Sequence, residues 1–138
     1  MAPPTALVLD TNIVLDLYVF QDPATGGLRA GLQAGALRWI ATPAMRDELE
    51  RVLAYPQIAR RLPPLARSAA EVLACFDAQA QLVAVAAKAD VTCKDPDDQK
   101  FIDLAVAHQA HLLSKDQAVL CMAKRLLART VTVRRALA

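Results

Sequence analysis

The chain has 138 residues, which is the size of one domain that can bury its own hydrophobic core, and 55% of its residues are hydrophobic. The net charge of +2 is too small to indicate nucleic-acid binding by itself, and three scattered cysteines without a CxxC spacing do not favour a disulfide framework or a zinc site. We therefore expect a single domain over residues 1–138 in a reducing cytoplasm, with no secretory signal and no membrane span.

The first half of the chain alternates between strand and helix signals. Residues 6–9 form a continuous apolar run that ends at Asp10, a pattern typical of a central parallel strand buried on both faces. Thr42 and Pro43 are a typical N-cap and first residue of a helix. Helices are predicted over residues 12–20, 27–33, 43–53, 56–62 and 64–79, and further strands over residues 37–41 and 82–85.

The second half of the chain continues the alternation. A helix is predicted over residues 97–107, a strand over 111–114, a helix over 117–127 and a last strand, at the sheet edge, over 130–133. This order predicts an α/β fold with a mostly parallel central sheet and helices on both faces. In such sheets ligands bind outside the carboxyl ends of the strands.

Four acidic residues fall where that edge is expected. Asp10 follows the first strand, Asp116 follows the strand over 111–114, Asp98 begins the helix before that strand, and Glu48 lies on the helix after the second strand. Carboxylates that converge repel one another, and a divalent cation relieves the repulsion. A cluster of carboxylates without His or Cys favours Mg²⁺ or Mn²⁺ and phosphoryl chemistry.

Each acid also has a purely structural interpretation. Asp10 and Asp116 can cap the helices that follow them, and the run from Asp95 to Asp98 is a typical helix start. Glu48 lies among other charged residues on a helix face that solvent can cover. The functional interpretation therefore depends on the four acids together.

Four segments, in order, make the chain resemble PIN domains. They are Val8-Leu9-Asp10-Thr11-Asn12, the helix start from Thr42 to Leu49, the segment from Asp95 to Phe101, and Leu112-Leu113-Ser114-Lys115-Asp116. Nearly the whole chain is covered, and the set is most similar to the toxin components of toxin–antitoxin systems, the VapC-type toxins. The resemblance implies a three-layer α/β/α sandwich, an acidic Mg²⁺ or Mn²⁺ site and cleavage of single-stranded RNA.

Carried over by position, the resemblance assigns the acidic ligands to Asp10, Glu48, Asp98 and Asp116. The hydroxyl groups of Thr11 and Ser114 would support the site, and Asn12 would order the turn between strand and helix. Asp97 competes with Asp98 for the third position, and Glu50 competes with Glu48 for the second. The resemblance also implies an antitoxin partner and a homodimer as possible assemblies.

Two other classes of function compete with the nuclease. A phosphatase with an aspartyl nucleophile also places an Asp after its first strand, but such enzymes usually carry Asp-x-Asp, and Asn12 stands at the second position here. A non-catalytic PIN-like module that binds RNA or a protein is the third hypothesis. It would gain support if Glu48 or Asp98 pointed away from Asp10.

Overall fold

The structure is a computed structural model that describes residues 3–137. Within that range a parallel sheet of five strands runs in the order β3-β2-β1-β4-β5. The strands are β1 (Thr5–Leu9), β2 (Leu37–Ala41), β3 (Ala80–Leu82), β4 (His111–Leu113) and β5 (Val133–Arg134). This confirms the predicted α/β class, and it brings the carboxyl ends of all these strands to one edge.

The helices flank this sheet and complete the three-layer α/β/α sandwich. They are α1 (Thr11–Tyr18), α2 (Gly26–Gln33), α3 (Pro43–Leu53), α4 (Pro56–Ala59), α5 (Ala69–Gln79), α6 (Gln99–His108), α7 (Gln117–Leu120) and α8 (Ala123–Leu127). Short 3-10 turns precede α2, α5 and α6. No helix in the described part of the chain has both the length and the apolar character to cross a bilayer.

Strand β1 is buried on both faces, as its uninterrupted apolar sequence predicts. It pairs with β2 on one side and β4 on the other, and Leu7 and Val8 are fully buried. The same core holds Trp39 of β2, whose ring packs edge-on against Phe76 of α5 with the centroids 5.0 Å apart. Because β1 and β4 are neighbours, residues about 100 positions apart in sequence meet at the carboxyl edge.

The predicted start of α5 was wrong. The helix was expected from residue 64, but the Pro63–Leu65 turn closes first, and Ala66 then adopts a left-handed conformation with φ 51°. The helix begins at Ala69, where the Ser68 side chain caps it by accepting a hydrogen bond from the Glu71 main-chain N–H at 3.1 Å. Local capping thus overrode the apolar periodicity.

Other boundaries also differ from the sequence expectation. Strand β3 lies at 80–82 rather than 82–85, because α5 leads directly into it and Ala80 pairs with Trp39. The helix expected over 117–127 is divided into α7 and α8, where Met122 N–H bonds to the Val119 carbonyl in a tight turn. The last strand lies at Val133–Arg134 rather than 130–133, because Thr130 turns the chain with φ 64°.

Replacing Ser68 by Ala tests the revised start of α5. The substitution removes the N-cap acceptor, so we expect the free energy of unfolding to fall by about 1 kcal/mol in a denaturant titration. Ser68→Asp is the control, since aspartate also caps and should retain most of the stability. An unchanged or raised stability in Ser68→Ala would instead place Ser68 inside a longer helix, where alanine is favoured.

Candidate metal centre

Three carboxylates meet at the carboxyl edge of the sheet. Asp10 follows β1, Asp116 follows β4, and Asp98 ends the turn that opens α6. Each offers an oxygen atom, and these three oxygens all lie within 4.8 Å of one another. We refer to Asp10, Asp98 and Asp116 as the acidic trio.

Asp10 is fixed by the neighbouring strand rather than by the helix that it precedes. It occupies the N-cap position of α1, yet its side chain accepts no hydrogen bond from the described first turn of that helix. Instead, Oδ2 accepts a hydrogen bond of 2.7 Å from the Ser114 hydroxyl, and the Asp10 main-chain N–H donates to the Leu113 carbonyl. Burial raises the pKa of Asp10, and the charges of Glu48 and Asp116 raise it further.

Ser114 and Asn12 join the two turns that carry Asp10 and Asp116. The Ser114 side chain is fully buried, and besides donating to Asp10 it accepts a hydrogen bond from the Asp116 main-chain N–H at 3.0 Å. Asn12 Oδ1 accepts from the Lys115 main-chain N–H at 3.4 Å. Both side chains therefore hold the turn after β1 against the turn after β4.

Asp98 is the most strongly perturbed member of the trio. Its side-chain oxygen Oδ2 is buried and has no hydrogen-bond partner among the described residues. Burial first, and then the charge of Asp10 and a hydrogen bond with Asp116, raise its pKa to about 8. In the absence of a cation, these surroundings therefore favour the protonated form of Asp98.

Asp98 and Asp97 differ clearly in their surroundings. Asp97 is exposed, and its main-chain carbonyl accepts a hydrogen bond from Lys100. The residue that caps the start of this turn is Asp95, whose carboxylate accepts a hydrogen bond from the Asp97 N–H. The structure therefore brings Asp98, rather than Asp97, together with Asp10 and Asp116.

The Asp116 carboxylate both caps α7 and belongs to the acidic trio. One carboxylate oxygen caps α7 by accepting a hydrogen bond of 2.9 Å from the Ala118 N–H. The side chain also belongs to the acidic trio. Capping fixes the orientation of the carboxylate without removing it from the cluster.

Glu48 lies beside the acidic trio and is not a member of it. Its two oxygens accept hydrogen bonds from the Thr11 hydroxyl and from Lys100 Nζ, the latter at 2.7 Å. Its charge contributes to the raised pKa of Asp10, so it faces the same edge. The competing Glu50 is mostly exposed and lies 3.7 Å from Arg46, which favours Glu48 as the acid nearer to the site.

Lys100 contacts Glu48 beside the acidic trio, and the sequence interpretation missed this residue. It bridges α6 and α3 through its ion pair with Glu48. Its position two residues after Asp98, within an acidic segment, was the available signal. Lys115, at the same edge of the sheet, is exposed and pairs with the buried Asp16 at 2.6 Å.

The acidic trio has the properties of a divalent cation site. Three converging carboxylates cost electrostatic free energy that a bound cation would offset, and Asp98 Oδ2, which has no hydrogen-bond partner within residues 3–137, could serve as a ligand atom. Carboxylate oxygens are the ligands that Mg²⁺ and Mn²⁺ prefer. The donor set therefore fits a hard divalent cation.

Comparison with known proteins assigns the class. The family model described as "PIN domain" matches residues 6–118, which include the acidic trio and Glu48. The chain therefore belongs to the PIN domain family. PIN domains are generally metal-dependent nucleases. A search of curated proteins found no match to this chain.

The raised pKa of Asp98 predicts how the stability of the metal-free protein changes with pH. An unfolded chain loses the Asp98 proton near the ordinary value of 3.8, whereas the folded protein keeps it up to about 8. Folding therefore takes up a proton between these values, and its free energy becomes less favourable as pH rises. Asp98→Asn cannot ionise, so its stability relative to wild type should increase from about pH 5 to about pH 8.

Urea titrations in EDTA at several pH values would measure this difference. Asp97→Asn is the matched control, because it removes the same charge from an exposed position. If the wild type and Asp98→Asn showed parallel stability profiles over this range, the pKa of Asp98 would not be raised by the fold.

Proposed function

We propose that the protein is an endoribonuclease that cleaves single-stranded RNA and depends on Mg²⁺ or Mn²⁺. The observation that carries the proposal is the acidic trio at the carboxyl edge of the sheet in a member of the PIN domain family. The buried oxygen of Asp98, which lacks a partner among residues 3–137, supports a site built for a cation.

Asp10, Asp98 and Asp116 would hold the cation. When bound, it supplies positive charge that neutralises the phosphodiester and lowers the pKa of an attacking water. Ser114 orients Asp10, and the cap on α7 orients Asp116, so that both carboxylates are set before substrate arrives. Such preorganisation avoids reorganisation during the reaction.

We propose Glu48 as the fourth acid of the same site. Thr11 and Lys100 engage one oxygen each and hold the carboxylate beside Asp10. Lys100 also brings a positive charge to this acidic edge, which suits the approach of an RNA phosphate. This arrangement would let Glu48 assist the site from α3 without crowding the acidic trio.

Two observations favour this proposal over its competitors. A phosphatase of the aspartyl type needs a second acid two positions after the first, and Asn12 instead bonds to the Lys115 main chain. A degenerate module would be favoured by an Asp98 that points away from Asp10, whereas the two carboxylates lie together. We therefore rank catalysis above both alternatives.

The finer biological role rests on the resemblance to VapC-type toxins. We propose that the protein acts in the cytoplasm as the toxin of a toxin–antitoxin pair, restrained by an antitoxin protein, and that it can form a homodimer. Masking of the acidic trio by such a partner would suppress RNA cleavage, because substrate and cation enter at the same edge.

Removing one carboxylate of the acidic trio tests the nuclease proposal. We expect wild type to cleave a labelled single-stranded RNA with Mn²⁺ and to lose activity in EDTA. Asp10→Asn should lose at least about 100-fold, because even outer partners of metal ligands typically contribute 10–100-fold. Asp97→Asn, an exposed neighbour of the trio, serves as the control and should cleave normally. Undiminished cleavage by Asp10→Asn, or cleavage by the wild type in EDTA, would contradict the proposal of a metal-dependent nuclease.

Glu48 and Glu50 provide a matched pair of substitutions on one helix. Glu48→Gln should lower the rate of RNA cleavage by about 10–100-fold, since it weakens the link to Lys100 and removes a charge beside Asp10. Glu50→Gln makes the same chemical change at an exposed position and should be neutral. Equal activities of the two variants would remove Glu48 from the site.

A further inference from the structure

A polar cavity lies at the end of α1 farthest from the acidic trio. Its volume is about 490 Å³, and it is bounded by α1, α2, α5 and the segment before α5. Its polar lining residues are Tyr18, Gln21, Arg29, Gln33, Arg67 and Gln79. Helix α1 has eight residues and is therefore about 12 Å long, so this cavity is separate from the candidate metal centre.

Two arginines enter this cavity and are held by the end of α1. Arg29 Nη2 donates to the Leu17 carbonyl at 3.2 Å and lies 3.4 Å from the Thr25 hydroxyl. Arg67 Nη1 donates to the Tyr18 carbonyl at 3.1 Å. A guanidinium group has five N–H donors, so each arginine keeps further donors beyond these contacts.

The positively charged Arg29 and Arg67 line the same cavity. Within residues 3–137 neither arginine forms an ion pair with Asp or Glu, in contrast to Arg46 and Arg129. Both act on the buried Tyr18 phenol, whose pKa burial raises while the two arginines act in the opposite direction. The Tyr18 hydroxyl donates to Gln79 Oε1 at 2.7 Å.

Capping of α1 explains only part of this arrangement. Arginine often satisfies the last carbonyls of a helix, and that role accounts for one hydrogen bond from each residue. It does not account for two half-buried guanidinium groups that line one cavity, because like charges in one cavity repel each other and an anion there would offset the repulsion. Phosphate is the anion whose geometry guanidinium matches best.

The cavity is larger than a phosphate ion requires. Its volume lies within the range of about 300–1,000 Å³ that is typical of small-molecule sites. Gln21, Gln33 and Gln79 add amide groups that can both donate and accept hydrogen bonds. These groups suit the sugar and base that accompany a phosphate in a nucleotide.

We propose that this cavity is a second binding site, in which Arg29 and Arg67 hold the phosphate group of a nucleotide. The site goes beyond the proposed cleavage of RNA and does not depend on it, since the cavity lies outside the acidic trio. The nucleotide is either a free molecule or one unit of an RNA strand, and both present the same phosphate chemistry.

Calorimetric titration of the full chain with the four nucleoside 5′-monophosphates tests the site. EDTA in the buffer keeps divalent cations from the acidic trio, so that binding there does not contribute. We expect at least one nucleotide to bind, and its matching nucleoside and inorganic phosphate each to bind at least about ten-fold more weakly. Failure of all four nucleotides to bind more tightly than their nucleosides would overturn the proposal.

Arginine variants locate the binding. Arg29→Gln and Arg67→Gln should each weaken nucleotide binding by about ten-fold or more, whereas Arg60→Gln removes the same charge from an exposed residue and should not. Gln33→Glu keeps both arginines and places a negative charge at the cavity, four residues after Arg29 on the same helix, so it too should weaken binding. Wild-type affinity in these variants, or equal weakening in Arg60→Gln, would contradict the site.

A short single-stranded RNA, titrated in the same EDTA buffer, identifies the source of the phosphate. If the arginine variants weaken RNA binding and the mononucleotide displaces the RNA, the site holds one unit of the strand. If neither the arginine substitutions nor the mononucleotide changes RNA binding, the ligand is the free nucleotide. Either result supports the site, and neither depends on whether the protein cleaves RNA.

Discussion

Mutual repulsion among the carboxylates of Asp10, Asp98 and Asp116 constrains the whole carboxyl edge of the sheet. Three acids with oxygens within 4.8 Å of one another repel one another in a partly buried site, and a bound cation would offset that repulsion. The fold nevertheless keeps them together, since Asp10 and Asp116 follow adjacent strands and Ser114 contacts both of their turns. In the metal-free protein this arrangement is unfavourable, which is the usual cost of a preorganised functional site.

The same repulsion explains why the charge of Glu48 beside the trio is compensated and why the other contacting groups are neutral. Glu48 would add a fourth negative charge, but Lys100 pairs with it and Thr11 donates to it. Asn12 and Ser114 connect the turns through neutral groups and add no charge. These neighbouring groups do not neutralise the carboxylates of the trio, and a bound cation would do so.

Much of this arrangement could be predicted from the sequence, because it depends on local patterns. The apolar run before Asp10 predicts a buried strand, and alternation of elements predicts a parallel sheet whose carboxyl ends meet. The PIN-like segments placed Asp10, Asp98 and Asp116 in the same site. The strand predicted over residues 37–41 is also present, and its Trp39 lies in the core.

The errors arose where tertiary contacts or single turns decide the structure. Ala66 and Thr130 adopt left-handed conformations that neither residue type favours, so the boundaries of α5 and β5 could not be predicted from propensity. The ion pair of Lys100 with Glu48 joins residues 52 positions apart, so the position of Lys100 near Asp98 could not reveal its partner. The cavity with Arg29 and Arg67 is assembled from three helices and a turn, so it becomes visible only in the folded chain.

The measurement that tests the central claim most directly is anomalous diffraction from crystals of this protein soaked in Mn²⁺. We predict an anomalous peak within coordination distance of carboxylate oxygens from Asp10, Asp98 and Asp116, at the carboxyl edge of the sheet. A crystal at saturating Mn²⁺ in which these three side chains hold no metal, or in which the ion binds elsewhere, would contradict it.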